Sequence, residues 1–196
     1  MFDNGINPLA LLQYGLYNIL IRKLEFYGIR GIPLNWISSY LSDRQQLTSI
    51  NGVSSSYENI VCGVPQGSIL GPLLFLIYVN DLPNVSDLLC TLMFADDTST
   101  FISGKNIYNL CTTMNSELCK LLTWLKANRL SLNIDKTQFM IFQPRRKCNT
   151  NDISIKLDGI NIQRVRSSKF LGIVLDDKLN WNEHILLVKN KVSKVL

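Results

Sequence analysis

The sequence predicts an α+β fold in which a small antiparallel sheet is covered by helices. The first observation is three pairs of β-leaning segments that flank turns at residues 51–52, 95–98 and 158–159, since each pair is typical of an antiparallel hairpin. The second is that helical patterns separate the hairpins, and the longest, over residues 106–128, carries a single apolar stripe. Hairpins with helices between them favour a sheet covered on one face.

The first half of the chain begins with helical patterns and continues into one hairpin. The first helical pattern ends at Gly28, and the second follows Pro33. The elements expected, in chain order, are a helix over 18–27, a helix over 36–41, strands over 46–50 and 57–62, a loop over 63–67, and a buried helix or strand over 70–80.

The second half alternates hairpins and helices. The elements expected are strands over 89–94 and 99–103, the helix over 106–128, strands over 130–134, 137–142, 153–157, 160–165 and 169–175, and a final helix from Trp181. The hairpin 89–103 is expected in the centre of the sheet, with Asp96 and Asp97 at its turn. The stripe of the long helix is expected to pack on that sheet. Its members are Ile107, Leu110, Met114, Leu118, Leu121, Leu122 and Leu125.

The composition excludes several classes of protein. The 196 residues are 46% hydrophobic, enough for one core, and five scattered cysteines without a CxxC pair predict buried thiols in a reducing compartment. His184 is the only histidine, which argues against a histidine-based zinc site or triad. The first residues lack the basic lead of a signal peptide, and the longest apolar run, 73–79, is far shorter than the roughly 20 residues that span a bilayer. We therefore expect an intracellular chain, in cytoplasm or nucleus, with no membrane partner.

The charge is divided unevenly along the chain. Residues 1–100 hold four Lys or Arg against eight Asp or Glu, whereas residues 101–196 hold sixteen against seven, a net charge of +9. A basic half is typical of a surface that contacts a phosphate backbone. The alternative is a solvated basic surface with no partner.

Two adjacent carboxylates follow an apolar strand in the segment Phe94-Ala95-Asp96-Asp97. Two carboxylates about 4 Å apart repel by roughly 4 kcal/mol at an effective dielectric of about 20. Binding a cation or protonating one acid relieves this repulsion, and hard oxygen ligands suit Mg²⁺, which also binds substrate phosphates. For the dipeptide alone, ordinary turn chemistry is the alternative.

A glycine-rich loop precedes the buried segment 70–80. Gly63 and Gly67 permit unusual backbone angles and close approach of another backbone or base. Gln66 offers donors and an acceptor to a nucleotide edge, and Ser68 can cap the following helix, whose N-terminal dipole favours phosphate. The alternative is a plain junction between a loop and a helix.

Together these motifs resemble the palm of a non-LTR retrotransposon reverse transcriptase of the jockey-like kind. Residues 63–82 resemble motif B of that family nearly letter for letter, and residues 94–97 resemble motif C. Residues 130–137 resemble motif D, and residues 170–173 resemble the primer-grip region. The resemblance covers roughly residues 18–190, with the motifs in the family's order.

The resemblance implies RNA-templated DNA synthesis with Mg²⁺ (or Mn²⁺), acting on an RNA template, a DNA primer and deoxynucleoside triphosphates. The site residues that it implies are Asp96 and Asp97 as metal ligands and catalytic acids, Lys136 as a catalytic residue near the triphosphate, Gln66, Gly67 and Ser68 beside the incoming nucleotide and template, and Leu171 and Gly172 near the primer end. For Lys136 the alternative is a surface lysine in a turn. The basic loop 145–147 either contacts the nucleic-acid backbone or is simply solvated.

The resemblance also divides the chain. Residues 18–178 are expected to form the palm, and residues 179–196 to begin a truncated C-terminal helical region. Residues 1–17 diverge from motif A, which in the family reads Asp-x-x-Lys-Ala-Phe-Asp. An alignment without gaps puts Asn7 at the metal-binding Asp, and Asp3, the only acid there, aligns only through a gap.

Three functions follow from these observations. The first is the palm of a magnesium-dependent RNA-directed DNA polymerase. The second is a catalytically inactive, nucleic-acid-binding remnant of that palm, which the departure from motif A favours for the chain on its own. The third, a metal-free structural domain, explains neither the glycine-rich loop nor the paired acids.

Overall fold

The computed structural model describes residues 2–5, 16–60, 67–143 and 152–194. The chain divides into two compact units. The sheet unit comprises Met1–Gly5, Ser86–Leu122 and Leu132–Leu196, and the helical unit comprises Ile6–Val85 and Thr123–Ser131.

Helices and short strands alternate along the chain, as an α+β fold requires. In chain order the elements are β1 (Phe2–Gly5), α1 (Leu16–Phe26), α2 (Ile32–Leu41), β2 (Arg44–Gln46), β3 (Ser49–Ile50), β4 (Val53–Ser54), β5 (Glu58–Ile60), α3 (Leu70–Val79), a 3₁₀ helix (Leu82–Val85), β6 (Cys90–Phe94), β7 (Asp97–Phe101), α4 (Ile107–Ala127), a 3₁₀ helix (Ile134–Lys136), β8 (Gln138–Phe139), β9 (Lys156–Leu157), β10 (Ile160–Asn161), β11 (Gln163–Arg164), β12 (Ser167–Phe170), β13 (Ile173–Asp176) and α5 (Asn182–Val192).

In the helical unit, α1 packs against α2 and α3. Leu24 on α1 and Leu41 on α2 are completely buried, and Gly28 ends the first helical segment with a φ of 91°, as predicted. Helix α2 begins earlier than predicted, at Ile32, because Pro33 suits the first turn of a helix. The segment 70–80, left open between helix and strand, is the helix α3.

The hairpin around residues 51–52 is confirmed, but its strands are interrupted. β3 pairs with β4 around the turn, and β2 pairs with β5 farther from it. Both turn residues have positive φ, which is the backbone that an Asn-Gly hairpin turn favours.

The main sheet of the sheet unit has the strand order β11-β8-β1-β7-β6. All neighbours are antiparallel except β11 and β8, which are parallel. The prediction that the hairpin 89–103 lies at the centre of the sheet is therefore wrong, because β6 is an edge strand and β1 occupies the centre. Residues 2–5 insert between β7 and β8, and no local sequence pattern predicts this pairing.

The amphipathic helix of residues 106–128 is confirmed as α4. Met114, Leu118, Leu121 and Leu125 are buried, so the predicted stripe is the packed face. Its N-terminal half faces the sheet unit's strands, since Ile107, Leu110 and Met114 line one cavity of about 500 Å³ together with Phe101 and Phe139.

Three more predicted strands are wrong. Residues 160–165 form two strands, β10, which pairs with β9, and β11, which pairs with β8. Residues 130–134 do not form a strand, because the Asn133 side chain accepts a hydrogen bond from the Lys136 N–H and starts a 3₁₀ helix. Residues 169–175 are not one strand but the hairpin β12–β13, because Leu171 and Gly172 turn the chain with φ values of 46° and 88°.

The final helix is confirmed as α5, which the His184 side chain ties to β13 by accepting a hydrogen bond from the Val174 N–H at 3.3 Å. Within the ranges that the structure describes, no helix has both the length and the apolar character to cross a membrane.

Candidate active site

The paired acids lie at the turn of the β6–β7 hairpin. Phe94 pairs with Asp97, so Ala95 and Asp96 form a two-residue connection and Asp97 opens β7. Ala95 has a φ of 51°, a left-handed conformation that costs an L-residue about 1–2 kcal/mol relative to its right-handed form. A positive φ is common in two-residue hairpin turns, and seven other non-glycine residues among those described also have one, so the paired acids, not the strain, make this turn a candidate site.

The two strands of the hairpin differ in exposure, since β6 alternates whereas Thr98, Ser99 and Thr100 on β7 are all buried. Along β6 the exposed residues Cys90, Leu92 and Phe94 alternate with the half-buried Thr91 and Met93. Residues directly opposite each other in an antiparallel pair share a face, so the exposed Asp97 lies on the same face as Phe94. Asp97 is therefore accessible to a ligand from solvent, and Asp96 is half-buried.

The strand next to these acids is β1, which contains Asp3, the acid that aligns with motif A only through a gap. Asp3 lies opposite Ser99 in the register, and Gly5 lies opposite Asp97. The register therefore places Asp3 in the strand adjacent to the one that Asp97 opens, two positions along β1 from the residue opposite Asp97. The sequence offers Asp3 only through a gapped alignment, and its place beside β7 depends on a pairing between strands more than 90 residues apart.

Lys136 lies at the same end of the main sheet as the acids. Both β7 and β8 run antiparallel to β1, so Asp97 and Gln138, which open them, lie at the same end. Lys136 precedes Gln138 by two residues and ends the 3₁₀ helix, where it is exposed. Since only β1 separates β7 from β8, their backbones are two strand spacings apart, about 10 Å. The long side chain of a lysine can cover much of that distance.

The glycine-rich loop is described only from Gly67 onward, because Gln66 lies outside the described residues. Gly67 has a φ of 80°, which only glycine adopts at no steric cost. The predicted capping role of Ser68 is confirmed, since its Oγ accepts a hydrogen bond from the Gly71 N–H at 3.0 Å. The loop therefore leads directly into the first turn of α3.

The residues predicted near the primer end lie at the tip of a separate hairpin. Leu171 and Gly172 connect β12 to β13, and the Leu171 side chain is exposed. The basic loop 145–147 lies outside the described residues.

The acids suit a divalent cation by their donor chemistry. Mg²⁺ is usually held by one or two carboxylates together with water and substrate phosphates, and Asp96 and Asp97 offer such a pair. In the part of the chain that the structure describes, neither acid forms a salt bridge. No group of three or more His, Cys, Asp or Glu that could hold a metal occurs among these described residues.

Comparisons with known proteins identify the family. The model of the reverse transcriptase (RNA-dependent DNA polymerase) family matches residues 17–175. The RNA-directed DNA polymerase from mobile element jockey of Drosophila melanogaster is 30% identical over 157 residues, 76% of this chain and 17% of that protein. The probable RNA-directed DNA polymerase from transposon BS of the same organism is 30% identical over 177 residues, 84% of this chain and 18% of that protein.

The chain spans less than a fifth of the length of these relatives. The family match nevertheless covers 175 − 17 + 1 = 159 of the 196 residues. It implies a reverse-transcriptase-like palm fold, with which the mixture of helices and small sheets agrees. The Asp96–Asp97 hairpin, the loop before α3 and the sheet end at Lys136 all lie within the matched range. The chain belongs to the reverse transcriptase (RNA-dependent DNA polymerase) family.

Proposed function

We propose that this chain supplies the palm segment of a non-LTR retrotransposon RNA-directed DNA polymerase, in which the β6–β7 turn is the metal and nucleotide site. The observation that carries the proposal is the pair Asp96 and Asp97 at a hairpin turn, with Asp97 exposed, in a chain of this family. The partners would be an RNA template, a DNA primer and deoxynucleoside triphosphates.

Each predicted residue has a role in this proposal. Asp96 and Asp97 would hold Mg²⁺ or Mn²⁺, which neutralises triphosphate charge and lowers the cost of the primer hydroxyl's attack. Lys136 would stabilise the departing pyrophosphate from the same end of the sheet. Gly67 and Ser68, together with Gln66, would border the nucleotide and template, where a helix N-terminus favours phosphate. The turn at Leu171 and Gly172 would contact the primer end.

The basic half of the chain provides the means of holding nucleic acid. Residues 101–196 have a net charge of +9, and Lys or Arg side chains bind phosphate by releasing condensed counterions. We therefore expect salt-sensitive binding to an RNA–DNA hybrid, with a log-log slope of about −0.7 to −0.9 for each phosphate neutralised. Titration of a labelled hybrid at low and raised salt tests this. Binding that is absent at low salt, or indifferent to salt, would contradict the proposal.

A second candidate function is a catalytically inactive, nucleic-acid-binding form of the same palm. Two-metal catalysis needs carboxylates that clamp both ions against the substrate phosphates. Residues 1–17 diverge from motif A, which supplies a further metal-binding carboxylate in the family, and this divergence favours this candidate for the chain by itself. The pairing of β1 with β7 favours the first candidate instead, because it brings the backbone of Asp3 into the strand next to Asp97.

Primer extension on an RNA template separates the two candidates. We expect no detectable extension by the unmodified chain. The matched control is Asp96→Asn, which keeps the side-chain size and removes the charge. Magnesium-dependent synthesis that Asp96→Asn abolishes would reject the inactive candidate and establish the polymerase.

A further inference from the structure

A part-buried lysine links the helices of the helical unit. The Lys23 ammonium on α1 donates hydrogen bonds to the Tyr78 carbonyl oxygen at 2.6 Å and to Asp81 Oδ1 at 2.5 Å. It also lies 5.0 Å from the ring centroid of Tyr78 and 4.7 Å from that of Trp124. Only 14% of the Lys23 side chain is exposed. Lysine is rarely buried unless it is paired, so this arrangement has to be specified by its neighbours.

The partners of Lys23 are bonded to one another as well. Trp124 Nε1 donates to Asp81 Oδ2 at 3.1 Å, so Asp81 bridges the lysine and the indole. The Tyr78 hydroxyl donates to the Asn128 carbonyl oxygen at 2.6 Å, and Asn128 Nδ2 donates to the Trp124 carbonyl oxygen at 2.9 Å. We call these five residues the Lys23 network. It joins α1, the end of α3 and the end of α4 within one unit.

Helix α3 needs such a network because its sequence does not mark a packing face. All ten residues of Leu70–Val79 are apolar or glycine, proline or tyrosine, and Leu73 and Leu76 are half exposed while Leu74 is buried. For such a helix, the free energy of hydrophobic burial differs little between rotations about the helix axis. Directional hydrogen bonds at Tyr78 and Asp81 can select one rotation, as buried polar groups do in other helical assemblies.

The same helix begins at the loop that the proposed function assigns to the nucleotide and template. Ser68 bonds the Gly71 N–H at one end of α3, and Lys23 bonds the Tyr78 carbonyl oxygen at the other. A ten-residue helix is about 15 Å long and moves as one body. A rotation or shift of α3 at Tyr78 therefore also moves the loop at Ser68.

We propose that Lys23 is a positioning residue. It fixes the rotation of α3 through Tyr78 and Asp81, and it thereby holds the Gly67–Ser68 loop in the position where that loop contacts the nucleotide and template. The inference rests on the proposed function for the role of the loop. Lys23 itself contacts no nucleic acid in this scheme, because its ammonium is already enclosed by protein groups.

Hydrogen exchange on the full chain tests the positioning. The variants are Lys23→Met, which keeps the length of the side chain, and Lys23→Arg, which keeps the cation. Trp124→Phe is a milder variant that keeps a ring but loses the bond to Asp81. The control is Leu157→Ala, which opens a cavity in the sheet unit far from the network in sequence.

We expect the Gly71 amide to exchange at least about tenfold faster in Lys23→Met. Without the Lys23 hydrogen bonds, the first turn of α3 should open locally more often. Lys23→Arg should stay within about threefold of the unmodified chain, and Trp124→Phe should fall between them. The control should leave the Gly71 exchange unchanged. Equal exchange in Lys23→Met and the unmodified chain, or equal acceleration by Leu157→Ala, would overturn the proposal.

Binding of a primer–template hybrid with a deoxynucleoside triphosphate gives the functional readout. Lys23→Met should weaken binding by about tenfold, since small misplacements of a site are costly, while the salt slope stays the same. A slope reduced by about 0.7–0.9 would mean that Lys23 contacts phosphate directly, which contradicts a positioning role. If the unmodified chain binds no hybrid, the proposed function fails, and the exchange rates still decide whether Lys23 sets the loop.

Discussion

The ion pair between Lys23 and Asp81 should be asymmetric in its effect on stability. The Lys23 side chain is 14% exposed, whereas the Asp81 side chain is 40% exposed and keeps its bond to Trp124. Removing Asp81 strands a buried ammonium, whereas removing Lys23 leaves a carboxylate that water can solvate. Removing one partner of a buried ion pair, so that the other charge stays buried and unpaired, reduces the free energy of unfolding by about 3–5 kcal/mol. We therefore expect about 3 kcal/mol for Asp81→Leu and about 2 kcal/mol for Lys23→Met, which loses charged hydrogen bonds.

The double variant Lys23→Met/Asp81→Leu should cost less than the sum of the two single variants by more than about 1 kcal/mol, because neither charge is then left alone. The assay is urea unfolding followed by far-ultraviolet circular dichroism, with Lys105→Met at an exposed position as the control for loss of a lysine. The control should change the free energy of unfolding by less than about 0.5 kcal/mol. Additive effects, or a larger effect of Lys23→Met than of Asp81→Leu, would refute this account of the pair.

Three further predictions concern single residues. Burial raises the pKa of Asp176, but hydrogen bonds from backbone N–H groups of the following turn outweigh it, so the net pKa is lowered. Asp176→Asn should therefore reduce stability at neutral pH, and the difference from the unmodified chain should vanish in acid unfolding curves as the pH falls below the ordinary value of 3.8. Gly172→Ala has open space for its Cβ but a φ of 88°, so denaturant unfolding should show a loss of about 1 kcal/mol from backbone strain alone. Leu24→Ala empties a fully buried position and should cost about 3 kcal/mol in the same assay; a loss under 1 kcal/mol would contradict the packing of α1.

The elements that depend on neighbouring residues could be predicted from the sequence. The turns at 51–52 and 158–159 pair an αL-tolerant residue with glycine, and the structure has both hairpins. The stripe on α4 follows from helical spacing, and its central leucines are buried. Turn chemistry and amphipathic spacing act over a few residues, so they can be recognised without knowing what else the chain contacts.

The elements that depend on distant residues could not be predicted. β1 has only four residues and no alternation, and its place beside β7 is decided by pairing across more than 90 residues. The resulting error was to place the β6–β7 hairpin at the centre of the sheet. The sequence does not indicate the turn at Leu171 for a different reason, because a leucine at positive φ is uncommon. The neighbouring Gly172 makes this turn possible.

For the candidate site, too, some residues could be predicted from the sequence and others could not. Asp96, Asp97 and Ser68 were predicted, and the structure has the acids at a hairpin turn and the serine at the start of a helix. The roles of these residues in binding and catalysis stay predictions. The sequence offers Asp3 only through a gapped alignment and does not indicate the network around Lys23, because each depends on segments far away in sequence.

The most direct test of the central claim is Mn²⁺ binding at the β6–β7 turn in the presence of a deoxynucleoside triphosphate. Electron paramagnetic resonance can measure free Mn²⁺ for the unmodified chain, Asp96→Asn, Asp97→Asn and the control Asp135→Asn, an exposed acid in a 3₁₀ helix. The account predicts Mn²⁺ binding that needs the triphosphate, that weakens at least about tenfold in Asp96→Asn and Asp97→Asn, and that is unchanged in the control. Binding that is equal in all four proteins would show that Asp96 and Asp97 do not form the metal and nucleotide site.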